Sequence, residues 1–120
     1  METTFESLVG KTLVKIDVSI DEIEMLDSDG YRYRMYHSQD CCESVTIEDI
    51  CGDINLLLNS PITIAEEIDS QGVSAKEGTP SDYSYTWTFY KLGTVKETVT
   101  IRWYGESNGF YSESVEFIKL

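Results

Sequence analysis

Apolar and polar residues alternate along much of the chain with the two-residue period of a β-strand. Across residues 12–18, Val14, Ile16 and Val18 fall to one side and Lys15 and Asp17 to the other. Ile23 and Met25 resume the pattern after a break at Ser19–Asp21. Asp27-Ser28-Asp29-Gly30 is a turn sequence, after which Tyr31, Tyr33 and Met35 alternate with Arg32, Arg34 and Tyr36. These runs predict a three-stranded antiparallel meander. The turn lacks the spaced oxygen ligands and terminal Glu of a calcium loop, which rejects calcium there.

Val45 and Ile47 predict a short extended piece after the third strand. A short helix follows, carrying Ile54, Leu57 and Leu58. It begins either at Asp53 as N-cap or nearer Thr46, and Ser60-Pro61 ends it. With the first start, Cys51 sits just before a helix N-terminus, where a thiolate is stabilised. Residues 61–68 predict a strand with Ile62 and Ile64 inward and Ile68 as a further candidate for that face, and residues 69–82 read as a mobile loop. In the last third, Tyr83, Tyr85, Trp87 and Phe89 share one strand face. Val99, Ile101 and Trp103 share another, then Val115 and Phe117 a third. The connections are 92–95 and 105–109, the second holding the turn pair Asn108-Gly109. A second meander packed through these aromatics is expected, with Thr86, Thr88, Thr98, Thr100 and Arg102 on its solvated face. The expected fold is one α+β domain over 1–120, mostly antiparallel β in two meanders with one short helix.

Charge changes the picture more than composition does. The net charge is −13, which argues against nonspecific binding to nucleic acid or anionic membranes. Six acids and no base lie between Lys15 and Arg32, and eight acids and no base between Arg34 and Lys76. One reading is a self-repelling, soluble surface. The other is a surface that competes for a cationic groove. Thirteen charges on one face would match roughly 20 Å of duplex, an upper bound. No apolar run approaches the length of a membrane span. The N-terminal residues METTFESLVGK show no signal peptide, so a cytoplasmic location is expected. There, three cysteines point to metal or thiol chemistry rather than disulfides.

The candidate chemistry lies in HSQDCCESVTIEDICGD, residues 37–53. The only histidine, His37, and all three cysteines, Cys41, Cys42 and Cys51, fall within 15 residues. They supply four nitrogen and sulfur ligands for a structural zinc ion, which would add about 10 kcal/mol or more of metal-linked folding energy. The spacing is no standard knuckle, and adjacent cysteines on a regular strand point to opposite faces. Zinc therefore requires a turn at Cys41–Cys42, or completion of the site by Asp40, Glu43 or water. The alternatives are cysteines packed in the core with His37 exposed, and a Cys–His nucleophile pair oriented by Asp40 or Glu43. Five carboxylates in the same window, Asp40, Glu43, Glu48, Asp49 and Asp53, are candidate partner contacts. Glu66 and Glu67 read as a solvated edge. The Tyr83–Phe89 row is either core or a stacking platform, and Arg102, Tyr104 and Asn108 are a weak anion candidate. No nucleotide-binding or kinase motif is present.

The segments YHSQDCCESVTIEDICGD, SPITIAEE, YTWTFYKLGTV and TIRWYGESNGFYSESVEF resemble a family of small phage and prophage proteins. One branch of that family resembles anti-CRISPR inhibitors of the type II-A RNA-guided nuclease. The resemblance covers most of residues 8–118, with QDCCE and RWYGESNG its most specific blocks. It implies a small, acidic, cytoplasmic, non-enzymatic protein that binds the nuclease and interferes with DNA loading. It also carries His37, Cys41, Cys42 and Cys51 over as the zinc candidates. The rival expectations are a sponge for a nucleotide-like immune signal, using the tyrosine-rich sheet and Arg102, and a phage structural or accessory protein.

Overall fold

The computed structural model describes residues 3–69 and 74–120. The first meander forms as its alternation predicts: β1 (Leu13–Val18), β2 (Glu22–Asp27) and β3 (Arg32–Tyr36) pair antiparallel in chain order. Asp27 sets the second turn. Its buried carboxylate accepts the N–H groups of Asp29 and Tyr31 at 2.9 and 3.0 Å and the Tyr33 hydroxyl at 2.8 Å. A side chain that satisfies backbone donors two and four residues on fixes the chain reversal locally.

The second sheet is ordered β4 (Ser44–Cys51), β7 (Thr98–Ser107), β6 (Ser84–Gly93), β5 (Ile64–Asp69). Its meander is β5-β6-β7. The last strand, β8 (Glu116–Lys119), departs from the expected β6-β7-β8 arrangement and pairs with β3 in the first sheet. The Asn108-Gly109 pair is not a two-residue hairpin. Gly109 N–H donates to Ser107 Oγ and Phe110 N–H to Asn108 Oδ1, turning the chain off the sheet. The crossover then passes so close to Gly105 that a Cβ there would lie 2.9 Å from the Glu113 carbonyl oxygen.

The sheets share one core. Leu13, Ile23, Met25, Tyr33, Met35 and Phe117 from the first meet Val45, Tyr90, Leu92, Val99, Ile101 and Trp103 from the second. Phe5 and Leu8 close one end from a 3-10 turn, Phe5–Leu8. The expected helix is likewise a single 3-10 turn, Ile54–Leu57, capped by Asp53, whose side chain accepts the Asn55 N–H at 3.0 Å. A start near Thr46 does not occur, because residues 44–51 are strand.

The aromatic face of β6 is reversed from expectation. Trp87 pairs with Tyr104 on the outer face, while Thr88 pairs with Trp103 on the inner one. Tyr90 and Leu92, in the other phase, take the core positions. Large apolar residues occur in both phases of β6, Tyr85, Trp87 and Phe89 in one and Tyr90 and Leu92 in the other, so its alternation alone does not choose between them. Residues 74–79, part of the expected mobile loop, form a strap over this outer face. Trp87 Nε1–H donates to the Ser74 carbonyl at 2.9 Å. The Lys76 N–H donates to the Tyr104 hydroxyl at 3.1 Å, and Thr79 Oγ1 lies 2.7 Å from that hydroxyl and donates to Glu106 at 2.8 Å. The rest of that loop expectation, at residues 70–73, lies outside the described residues. No helix among the described residues is long and apolar enough to cross a membrane.

Candidate functional site

Two segments carry the chain between the sheets: residues 37–43 from β3 to β4, and 108–115 from β7 to β8. They meet at His37. Its Nδ1 lies 2.7 Å from the Ser114 carbonyl oxygen and its Nε2 3.0 Å from Glu43 Oε2. The His37 side chain is 4% exposed and that of Glu43 0%, so the pair is sealed. Both ring nitrogens face acceptors; a doubly protonated ring donates to both, and a neutral one to only one.

Glu43 organises the rest of the segment. Its carboxylate accepts the N–H groups of Cys41 at 2.8 Å and Asp40 at 3.1 Å, and Gln39 Nε2–H at 3.1 Å. Burial opposes the ionised form. Hydrogen bonds from the Cys41 N–H, its own N–H, the His37 ring and the Asp40 N–H outweigh burial and hold its pKa at about 2. A buried carboxylate with several donors stays ionised. Beside the pair is a polar cleft of about 280 Å³, bordered by Ser38, Asp40, Ser112, Ser114 and Glu116.

The four expected zinc ligands do not share this site. Cys41 and Cys42 are bonded to each other as a disulfide between sequence neighbours, contrary to the expectation of free thiols. Both His37 nitrogens are engaged. Cys51 lies at the far end of β4, roughly 20 Å away at about 3.3 Å per strand residue. Among the described residues no three His, Cys, Asp or Glu side chains come together to hold a metal. As placed, these residues do not fit a tetrahedral zinc ion. The Cys–His nucleophile pair does not assemble either, because neither ring nitrogen faces a thiol. Nor is Cys51 an activated thiolate: its thiol donates to Asp49 Oδ2 at 3.4 Å, and that hydrogen bond and the carboxylate's charge push its pKa up.

The candidate partner carboxylates also separate. Asp40 and Asp53 are exposed, Asp53 as the cap of the 3-10 turn. Glu48 pairs with Lys76 at 2.8 Å and Asp49 with Arg102 at 3.2 Å, while Glu43 is out of reach of any partner. On the outer face of the second sheet, Arg102 sits 5.6 Å from the Trp87 ring centre. Tyr104 and Asn108, the other members of the anion candidate, bond to the strap and to the Phe110 N–H. Sequence reasoning missed Gln39 and Ser114. Ser114 acts through its backbone carbonyl, 77 positions from His37, and no residue type marks a carbonyl.

Comparison with curated proteins and with solved structures finds no match. Residues 6–117 match the family described as a domain of unknown function, DUF7448, and the chain belongs to that family.

Proposed function

We propose that the chain is a phage-encoded, non-enzymatic inhibitor that binds a host CRISPR effector nuclease directly and interferes with its loading on DNA. The observation that carries this reading is the fate of its positive charge. Nine basic residues stand against 22 acidic ones. All three arginines, with Lys15 and Lys76, are already ion-paired inside the fold. What remains for a partner is an anionic surface, unsuited to nucleic acid and complementary to the cationic channel in which such a nuclease holds its heteroduplex. The sealing of His37 between two acceptors supports a non-enzymatic role. Within the 37–53 segment, Asp40 and Asp53 are the carboxylates free of ion pairs and open to solvent. The proposal includes no zinc.

The test is DNA loading of the purified type II-A nuclease, with and without the chain in molar excess. A stoichiometric complex is expected that blocks loading, weakens steeply with salt, and weakens further in Asp40→Lys. Unchanged loading removes the proposal. One observation favours a second reading, capture of a nucleotide-like ligand: Tyr85 and Phe89 lie on the outer face of the second sheet with Arg102, while Trp87 between them is covered by the strap. Thermal stabilisation by cyclic nucleotides, with no effect on the nuclease, would select that reading instead.

A further inference from the structure

We propose that β1 is a dimerisation edge, on which a second copy of this chain pairs antiparallel about Ile16. The inference is independent of the function proposed above.

β1 is the terminal strand of the first sheet. Among the described residues, the backbone of 14–18 bonds only to β2. Two of the other three edge strands, β8 and β4, have cover at some point. Thr3 N–H reaches the Phe117 carbonyl beside β8, and Ile47 N–H on β4 donates to the Ile20 carbonyl. On β1 itself only the start is covered, where Asn59 N–H donates to the Leu13 carbonyl at 2.8 Å.

The direction of each peptide group follows from the register. The Glu22 carbonyl accepts the Ser19 N–H at 2.8 Å and so faces β1. By alternation Glu24 and Leu26 face β1 too, and their partners Asp17 and Lys15 direct their N–H and C=O groups back at them. Ile16 and Val18 are left with N–H and C=O groups pointing to the open side. An exposed row of this kind is a template for another strand.

The side chains say which strand fits. Antiparallel pairing about a twofold axis at Ile16 sets Lys15 against Asp17 of the second copy, and Asp17 against its Lys15. Val14 then meets Val18 in both directions. Lys15 and Asp17 are 66% and 65% exposed, and Val14 and Val18 stand 40% and 42% exposed. Moving the centre to residue 15 or 17 would oppose Lys15 to Lys15 or Asp17 to Asp17, which is destabilising. The edge lysine, which on its own discourages strand addition, is matched by the aspartate two residues on. One register satisfies both charges and both valines, and it is isologous as a twofold dimer requires.

Sedimentation equilibrium on the full chain at high micromolar concentration tests this. The expected mass is twice 13.7 kDa. Asp17→Lys should return it to the single-chain mass by placing lysines opposite each other. The reversed pair K15D/D17K should restore the dimer, which a merely misfolded single variant would not predict. A wild type that stays monomeric overturns the inference. So does a dimer indifferent to Asp17→Lys, which places the contact elsewhere, or a double variant no better than the single.

Discussion

At the scale of single residues, Glu43 bears most on stability. Its carboxylate is an acceptor for every group around it, so Glu43→Gln turns two of its own donors toward the N–H groups of Cys41 and Asp40. The melting temperature at neutral pH should fall by roughly 5 °C or more. The pH dependence has a definite sign. The folded pKa lies below the ordinary 4.5, at about 2. The stabilisation is therefore present above about 4.5 and lost as pH falls toward about 2. Melting curves of wild type and Glu43→Gln should converge over that window; a constant gap would mean that the charge is not what matters. Asp27, whose pKa is also lowered, although burial opposes the bonds from Tyr33, Tyr31 and Asp29, adds to the same acid limb. At the other end, burial and the Asp27 bond push Tyr33 up to about 12. Its contribution is present below about 10 and lost as pH rises to about 12. Thiols give a separate check. A thiol reagent should find one reactive group per native chain, Cys51, and three only after reduction, because Cys41 and Cys42 are bonded to each other. Zinc held by all three would instead shield Cys51 until a chelator is added. The window holding His37 and the cysteines was legible as the place where the meanders are joined. Its geometry was not, because His37 turns one ring nitrogen to a carbonyl from the distant Ser114, and no residue type marks a carbonyl.

At the scale of elements, the strands whose polar and apolar faces differ were legible and the two-faced ones were not. β2 and β3 carry ionic outer faces, with Arg34 2.7 Å from Glu22 and Arg32 3.6 Å from Glu24, so their inward sides follow from period two alone. β6 offers aromatics in both phases, and its facing depends on the strap of residues 74–79, far from it in sequence. Thr79 holds that strap through both the Tyr104 hydroxyl and Glu106. Thr79→Ala should loosen it, cost about 1–2 kcal/mol, and shift Trp87 emission to the red while Trp103, fully buried, stays put. Emission unchanged in position would mean that the strap is held elsewhere. The crossover after β7 was unreadable because glycine records only that something passes close by. At Gly105 a Cβ would meet the Glu113 carbonyl at 2.9 Å, the Glu113 Cβ at 3.0 Å and Val45 at 3.1 Å. Gly105→Ala should therefore destabilise by about 1–3 kcal/mol. An alanine tolerated there would show that the crossover can lift away from β7.

At the scale of the whole molecule, the excess of 13 negative charges competes with a small number of ion pairs, and magnitudes decide which dominates. Most of the pairs are exposed, Lys15–Asp17 by about two thirds on each side, and such pairs are worth about 0–1 kcal/mol each. The best connected group is the cluster on the first sheet, where Arg34 reaches both Glu22 and Glu24 and Arg32 shares Glu24. Against these stands repulsion among unpaired carboxylates over a molecule only 44 × 27 × 20 Å. Much of that repulsion acts across more than one Debye length at about 0.1 M salt, roughly 10 Å, and is screened first. The short pairs, and the sealed Glu43–His37 contact above all, are screened least. Stability should therefore rise with salt, with the melting temperature climbing as sodium chloride goes from about 0.02 to about 0.5 M. Chloride is the proper choice because sulfate stabilises folded chains by exclusion regardless of charge. Salt should at the same time weaken any complex with a cationic partner, so stability and binding are expected to move in opposite directions along one titration. A melting temperature that falls with chloride would mean that the Glu22–Arg34–Glu24–Arg32 cluster outweighs the net charge, and the anionic surface would lose its standing as the dominant electrostatic feature of the fold.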